Sequence, residues 1–297
     1  MGRRLNPAIA TAQAAPPTPP AIDVMRRLTA GGGRVVGVHG LQPNTASRWG
    51  LEDARGHEDP WVEREHRLWF ALGGGIETAS VGVAPQDPRT PKLLDVFGVR
   101  AVLFDPSALP RGRLGLPPAF RGYRVAYAGP GGVVAENRSA LPRAFVAYRW
   151  RRSSGLKASL ASTAAGTALQ ARDEPVIETS QPPLGGPPTP ATAARLVSRT
   201  DTSVALDVQA RAPGQLVLLD TFYPGWRAEV DGRRTPIRPA DAAFQSVAVG
   251  AGRHRVRFSY RPASVVAGGA ITLVALAVLV VGLLLGWRRR DPRSVGK

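Results

Sequence analysis

The feature that most constrains this chain is an uncharged apolar stretch near its C-terminus. Residues 264–287 contain no Asp, Glu, Lys or Arg, and their centre reads AITLVALAVLVVGLLL at 270–285. A helix rises about 1.5 Å per residue, so this stretch spans roughly 35 Å, enough for the hydrocarbon core of a bilayer. A helix in a soluble core rarely stays free of charge for so long. The stretch therefore predicts one C-terminal transmembrane helix over 264–287.

The residues that follow the apolar stretch indicate its orientation. Trp287 lies where an interfacial aromatic residue is expected. Three basic residues come next, namely Arg288, Arg289 and Arg290. A basic cluster beside a span usually marks the cytoplasmic side, so residues 288–297 are predicted to be a cytoplasmic tail. Arginines also precede the span, at positions 253, 255, 257 and 261. The prediction that the bulk of the chain is extracytoplasmic rests on the closeness of the basic triplet to the span.

The N-terminal residues do not read as an export signal. A secretory signal needs a continuous apolar run of about 7–15 residues, and residues 5–20 are interrupted by prolines and polar side chains. Two explanations stay open. Either the chain is tail-anchored with its bulk in the cytoplasm, or it is the C-terminal part of a longer protein whose earlier helices export it. The second agrees with the basic triplet and is our expectation.

Composition excludes several classes of function. Cysteine is absent, which excludes disulfides, thiol catalysis and cysteine-ligated metal sites. The chain has 39 Lys and Arg against 22 Asp and Glu, a formal net charge of +17. The arginines are scattered and form no basic helix, so nucleic acid is not an expected partner. The charge would also suit anionic lipid headgroups or acidic wall polymers, although arginine replacing lysine almost throughout is explained more simply by a coding bias.

The pattern along the chain predicts an α+β protein with four segments before the span. Residues 1–30 read as an extended linker with a short helix, and 31–150 as a small α+β unit. Residues 151–194 are rich in Pro, Gly, Ser and Ala and predict a loose junction. In 195–262, apolar and polar residues alternate in three runs, so an antiparallel β-sandwich is expected there. Its last strand leads almost directly into the span, where its arginines would contact headgroups or simply be solvated.

Several motifs resemble one known family. The chain reads FYPGWRAEVDG at 222–232 and VGAGRHRVRFSY at 249–260, followed by the apolar stretch. Asn44 precedes GLEDARG at 50–56, LLDVFGVRAVL occupies 93–103, and ENRSALPRA occupies 136–144. In this order and spacing the motifs resemble the C-terminal part of YfhO-type bacterial membrane proteins, although His57 stands where that family has a tyrosine. The resemblance covers most of residues 34–285.

This resemblance implies a place and a role. YfhO-type proteins carry many membrane helices and are related to C-type glycosyltransferases, which use lipid-linked sugars. The implied role is glycosyl transfer to cell-envelope polymers at the bacterial cytoplasmic membrane, with upstream membrane helices as partners. In the wider superfamily the catalytic carboxylates lie in an early extracytoplasmic loop, and this chain has no such loop. The resemblance therefore implies acceptor binding or structural support, with no catalytic residue here; activity of this chain alone stays open.

The first candidate binding site is a polar cluster between two tryptophans. Its members are Trp49, Asp53, Arg55, His57 and Trp61. Such a set would form a polar pocket with aromatic platforms for a sugar or polymer acceptor. The alternative is a loop held by an Asp53–Arg55 pair, with the tryptophans packed into the core.

A second candidate is the pair Tyr223 and Trp226, which would line a carbohydrate-binding face. The alternative is that Trp226 faces inward, because it begins a strand with an alternating pattern. The histidines at 39, 57, 66 and 254 lack metal-ligand spacing, so neither a metal nor a cofactor is expected. Glu63, Glu65 and His66 are interpreted as part of a solvated helix face.

Three functions therefore compete. The leading hypothesis is the extracytoplasmic region of a glycosyl-transfer protein, partnered by the lipid bilayer and by an envelope polysaccharide or lipid-linked sugar. The second is a non-enzymatic, membrane-anchored carbohydrate-binding or scaffolding module. The third is a cytoplasmic tail-anchored protein whose basic surface meets lipid or nucleic acid.

Overall fold

A computed structural model describes residues 18–43, 45–55, 62–77, 80–109, 115–182 and 190–289. Its helices are α1 Pro20–Thr29, α2 Glu63–Ala71, α3 Thr90–Val96, α4 Leu156–Ala165, α5 Ala168–Asp173 and α6 Ala263–Arg289. Short 3-10 helices cover Thr45–Trp49, Pro106–Ala108 and Pro118–Phe120. The strands of the first half are β1 Arg34–Val38, β2 Gly75–Glu77, β3 Ser80–Gly82, β4 Val99–Phe104, β5 Arg124–Gly129, β6 Gly132–Glu136, β7 Ala144–Ala147 and β8 Arg151–Ser153. The strands of the second half are β9 Val176–Glu178, β10 Thr192–Ala193, β11 Arg195–Thr200, β12 Ser203–Ala210, β13 Gly214–Thr221, β14 Trp226–Val230, β15 Arg233–Thr235, β16 Arg238–Ala240, β17 Phe244–Val249 and β18 Gly252–Tyr260.

A four-stranded sheet of order β1-β4-β6-β5 forms the N-terminal layer. β1 and β4 are parallel, and the other neighbours are antiparallel. Side chains of α1, including Ile22 and Met25, pack on one face of this sheet together with Val35 and Leu103. Because β1 and β4 are buried on both faces, their sequences are apolar without alternation, as is usual for covered parallel strands.

The central layer is a seven-stranded sheet of order β10-β7-β13-β17-β16-β9-β8. Both of its faces are buried. Val217 and Leu219 of β13 face the core shared with α2, α3 and the four-stranded sheet. Leu216 and Leu218 of the same strand face a second core on the opposite side. The sheet therefore lies between two hydrophobic cores, which explains the uninterrupted burial of β13.

The third layer is a five-stranded antiparallel sheet of order β11-β12-β18-β14-β15. Val204, Leu206 and Val208 of β12 face the second core, as do Val256 and Phe258 of β18. The residues between them face solvent or are half-buried. The predicted α+β class with an antiparallel sandwich is thus confirmed.

The structure differs from the expected loose junction over 151–194. Described parts of this segment form α4, α5 and three strands that complete the seven-stranded sheet. The second sheet of the sandwich therefore begins well before residue 195. Helix α4 has the sequence LKASLASTAA and buries Ser159 and Thr163, so its packed face is made of small residues rather than large apolar ones. The capping box of Thr167 and Gln170 that starts α5 was a local signal for a helix.

The C-terminal helix α6 stands apart from these layers. Within it, Ala263–Leu285 is long and apolar enough to cross a membrane, the one such segment among the described residues. None of that segment is buried against the rest of the described chain. Leu273, for example, is 70 % exposed. A helix that is apolar on all sides is stable only when lipid or other apolar helices surround it, which supports the predicted transmembrane helix.

Candidate functional site

The five-stranded sheet and the membrane helix are joined by a very short connection, here called the joint. β18 ends at Tyr260 and α6 begins at Ala263, so only Arg261 and Pro262 lie between them. The backbone N–H of Arg261 donates to the carbonyl of Gly225 at 2.8 Å. This bond fastens the joint to the turn before β14. Since Tyr260 and Ala263 are three residues apart and can be separated by at most about 11 Å, the end of the sheet lies beside the start of the helix.

Three aromatic side chains form a cluster at this joint. The aromatic cluster consists of Tyr223, Trp226 and Tyr260, and all three are half-buried. The ring centroids of Tyr223 and Tyr260 are 5.2 Å apart, those of Trp226 and Tyr260 are 5.5 Å apart, and those of Tyr223 and Trp226 are 6.1 Å apart. These separations suit favourable aromatic contacts. The β14–β18 register creates the cluster by placing Trp226 opposite Tyr260.

A glycine holds the aromatic cluster in place. Gly225 has a φ of +107°, and a Cβ added there would lie 2.7 Å from a ring carbon of Tyr260. Both observations favour glycine at this position, because a residue without a side chain adopts this φ and lets the turn approach the ring closely. Tyr and Trp with one apolar and one polar end are the side chains preferred at the membrane–water interface. The predicted pair Tyr223 and Trp226 is therefore brought together, beside the membrane helix.

Exposed arginines surround the same end of the sheet. Arg227, Arg257 and Arg261 are all exposed. A strand advances about 3.3 Å per residue, so Arg257 lies about 10 Å along β18 from Tyr260, whereas Arg253 lies about 23 Å away. Basic residues near the bilayer surface are attracted to anionic headgroups. The joint thus combines an apolar helix, interfacial aromatics and positive charge.

The predicted polar pocket at Asp53 and Arg55 is not open to a ligand. The Arg55 side chain is fully buried, and its guanidinium binds both carboxylate oxygens of Asp53, at 3.0 and 2.8 Å. It also donates to the carbonyls of Gly37 at 2.8 Å and Leu41 at 2.6 Å. This side chain connects the loop to β1. The geometry therefore favours the alternative interpretation, in which the Asp53–Arg55 pair holds a loop in place.

The other members of the first candidate site do not complete a pocket in the described structure. Trp49 is half-buried and packs against the core beneath α1, while its carbonyl accepts from Arg26 Nε at 2.9 Å. His57 and Trp61 lie outside the described residues. At the end of the membrane helix, the backbone of Trp287, Arg288 and Arg289 is helical, but their side chains and all of Arg290 are likewise outside the described part.

The acidic face of α2 is only partly solvated. Glu63 pairs with Arg67 at the surface, as expected for a helix face. Glu65 instead accepts a hydrogen bond from the Thr221 hydroxyl at 2.6 Å and so joins α2 to β13. The described residues contain no group of His, Cys, Asp and Glu side chains that would hold a metal ion.

Sequence reasoning missed a buried charge network. Its members are Arg34, Glu52, Arg143, Arg199 and Asp220. Arg143 lies 2.8 Å from Glu52 and 2.5 Å from Asp220, and its side chain is 4 % exposed. Arg34 lies 3.4 Å from Asp220. The network joins β1, β13 and β11, and therefore ties all three sheets together. Glu52 lies in the motif GLEDARG and Arg143 lies in ENRSALPRA, so these two motifs were the sequence signal that could have pointed to the network.

Electrostatics in the network follow from its burial. Burial, together with the charge of Arg143, lowers the pKa of Arg34 to about 10. Burial raises the pKa of Asp220, but the surrounding arginines outweigh that effect and hold it below the usual range. Arg34 and Asp220 are therefore both charged at neutral pH. The network is suited to fixing the layers relative to one another rather than to moving protons.

One comparison with known proteins finds a family that matches the C-terminal part of the chain. Residues 191–272 match the profile of a family described as bacterial membrane protein YfhO. The matched segment belongs to the YfhO family. This YfhO segment holds strands β10–β18 and the first part of α6, so the joint and the aromatic cluster lie inside it. The match and the apolar segment of α6 both support an association of the chain with a membrane. No curated protein and no solved structure matches the chain.

Two open grooves complete the surface of this region. One, of about 610 Å³, lies on the wet face of the five-stranded sheet within the YfhO segment. There Asp207 pairs with Arg195 and lies 3.8 Å from Arg255, and Arg253 donates to the side chain of Gln209. The other, of about 710 Å³, lies at the β8 edge of the seven-stranded sheet and is shared between the YfhO segment and the residues before it.

Proposed function

We propose that this chain is the extracytoplasmic, membrane-anchored region of a protein that transfers sugars to cell-envelope polymers. In this role it positions the acceptor beside the membrane and supports membrane-embedded catalytic parts, and it does not itself perform the transfer. The proposal combines the YfhO segment with the resemblance of the earlier motifs to the same family.

The observation that carries the proposal is the joint. The sandwich is joined to the apolar helix by a two-residue connection, beside which lie the Arg261–Gly225 hydrogen bond and the aromatic cluster. If that helix spans the membrane, the sandwich stays close to the bilayer surface. Lipid-linked sugars are available only at that surface. A domain that cannot move far from it is suited to presenting an acceptor there, because holding two reactants close replaces a bimolecular encounter.

A second candidate function is a non-enzymatic carbohydrate-binding or scaffolding module of the envelope. It is favoured by the grooves on the sandwich, which are formed by the folded part of this chain alone. Such a module would bind envelope polymer whether or not a membrane-embedded transferase is present.

Deletion of the gene separates these two functions. In a bacterium that encodes this chain, the first function predicts that deletion lowers the sugar content of envelope polymers and that the full chain restores it. The Trp226→Ala/Tyr260→Ala variant should restore less, because it loses the aromatic contacts at the joint. The measurement is sugar analysis of purified envelope polymers, with Leu169→Ala, an exposed side chain on α5, as the control.

Unchanged sugar content after deletion would reject the glycosyl-transfer role. If the deletion strain then retains less polymer at its membrane, the binding module remains as the explanation. If the Trp226→Ala/Tyr260→Ala variant restored the sugar content as fully as the unchanged chain, the geometry of the joint would not be needed for this function.

Sidedness is open to a clean labelling test because the chain contains no cysteine. Ser198→Cys places a single thiol on the exposed surface of β11, and Ser294→Cys places one in the basic tail. With a membrane-impermeant maleimide on intact spheroplasts, we expect the first variant to be labelled and the second to be labelled only after lysis. The reverse pattern would put the bulk of the chain in the cytoplasm and support the tail-anchored alternative.

A further inference from the structure

The larger groove lies where β8 and β9 end and β16 begins. Arg152 of β8 is paired with Ile177 of β9, and Ile177 with Ala240 of β16. Adjacent strands are about 4.8 Å apart, so the strands of Arg152 and Arg238 are about 10 Å apart on either side of the groove. Two arginines therefore face one open space of about 710 Å³ from opposite walls.

The positive charge in this groove is uncompensated. Arg152 is exposed and donates to the carbonyl of Ser180 at 3.2 Å. Neither Arg152 nor Arg238 forms an ion pair within the described part of the chain. Glu178, the carboxylate of the lining, is bound through both oxygens by Arg64 of α2, at 2.7 and 3.0 Å. The groove thus presents two positive charges to solvent.

Hydroxyl groups line the same space. Ser154 directly follows β8, and Ser180 lies just after β9; both are exposed. Thr179 lies between the end of β9 and Ser180. A hydroxyl both donates and accepts hydrogen bonds, which matches the hydroxyls of a sugar or polyol. A guanidinium fork matches the paired oxygens of a phosphate or a carboxylate. A neutral or apolar ligand would leave both arginines unused.

We propose that this groove binds an anionic, hydroxyl-bearing polymer, with Arg152 and Arg238 holding its acidic groups and the hydroxyls of Ser154, Thr179 and Ser180 contacting its polyol units. The inference rests on the proposed acceptor-binding role and narrows the acceptor to polymers that carry phosphate or carboxylate. The net charge of +17 attracts such polymers in general, and the groove gives them a defined place.

Binding of four probes to the full chain in lipid nanodiscs tests this inference. The probes are poly(glycerol phosphate), polygalacturonate, dextran and inorganic polyphosphate, measured at physiological salt. We expect one or both hydroxylated polyanions to bind, dextran not to bind, and polyphosphate to bind more weakly because it lacks hydroxyls. The better of the first two probes identifies the acidic group.

Two variants with equal charge loss give the control. Arg152→Gln/Arg238→Gln should weaken binding of the hydroxylated polyanions at least tenfold. Arg27→Gln/Arg121→Gln removes two exposed arginines elsewhere and should leave binding within about twofold. Arg152→Lys/Arg238→Lys keeps the charge but not the fork, and should give intermediate binding. If both glutamine variants lost polymer binding equally, the net charge of the chain would explain the attraction, and the proposed binding site in the groove would be rejected.

The failures of the two proposals are distinguishable. Polymer binding that survives Arg152→Gln/Arg238→Gln rejects the groove but leaves acceptor binding intact. Polyphosphate binding as tight as poly(glycerol phosphate) rejects the hydroxyl contacts. If none of the four probes binds, both the groove and the acceptor-binding role fall. Groove-dependent binding without any change of envelope sugar on gene deletion supports the groove and rejects glycosyl transfer.

Discussion

Replacing Asp220 by asparagine should lower the free energy of unfolding by about 3–5 kcal/mol. The Asp220 side chain is 9 % exposed and lies among Arg34, Arg143 and Arg199. Asparagine keeps the shape but removes the charge, so buried guanidiniums would be left facing one another with Glu52 as their remaining partner in the network. The midpoint of denaturant unfolding of the full chain in detergent micelles, followed by tryptophan fluorescence, measures the loss.

The matched control for this prediction is Asp207→Asn. Asp207 also sits beside two arginines, Arg195 and Arg255, but on the wet face of the sandwich, where its side chain is 37 % exposed. Ion pairs in that setting contribute about 1 kcal/mol or less. Equal shifts for Asp220→Asn and Asp207→Asn would show that the buried network does not hold the three sheets together.

The second large effect is a loss of stability as the pH rises. Asp241 is 1 % exposed, and burial raises the pKa of its carboxyl to about 7. The unfolded chain releases this proton near pH 4, so between pH 4 and 7 the folded state holds a proton that the unfolded state has lost. The stability contribution is complete below about pH 4 and is lost as the pH rises through 7. We expect a loss of about 3 kcal/mol from this group between pH 5 and 8.

Asp241→Asn should remove that part of the pH dependence. In the unchanged chain the Val176 N–H donates to the Asp241 carboxyl at 3.0 Å. The side-chain oxygen of asparagine can accept the same bond, and asparagine tolerates the positive φ of 45° at this position. Burial also raises the pKa of Asp95, to about 6, so a smaller loss in the same direction should remain. Denaturant midpoints at pH 5 and pH 8 measure both effects, with the exposed Asp23→Asn as the control. A wild-type midpoint that does not fall with pH would contradict the assignment.

Much of the fold could be read from periodicity. Alternation in β12 and β18 predicted strands with one buried face because those strands meet one core and solvent. The apolar run of α6 predicted a membrane span because a helix that is apolar on every side is not stable when water surrounds it. These patterns were sufficient because each depends on local geometry alone.

The segment 151–194 shows where this reading fails. The face of α4 that packs on the sheet contains Ser159 and Thr163, which a hydrophobic pattern does not mark as buried. Likewise β8 and β9 are short strands that are stable only as additions to β16. Their place depends on residues about 60 positions away, so no local window contains the information.

The candidate sites also differ in how far the sequence alone could predict them. The Asp53–Arg55 pair was visible in the sequence, but its burial depends on the carbonyls of Gly37 and Leu41, which only the tertiary fold brings there. The groove of Arg152 and Arg238 could not be predicted, because those residues are far apart in the chain and meet across three strands.

The sequence by itself determined that one segment is long and apolar enough to cross a membrane, that alternating strands precede it and that the C-terminal part resembles YfhO-type proteins. Tertiary structure alone decided which charges are buried in the network, which aromatics meet at the joint and which arginines remain available to a ligand. The physical reason is range. Helix length and strand alternation follow from neighbouring residues, whereas burial and charge compensation depend on partners that the fold brings together.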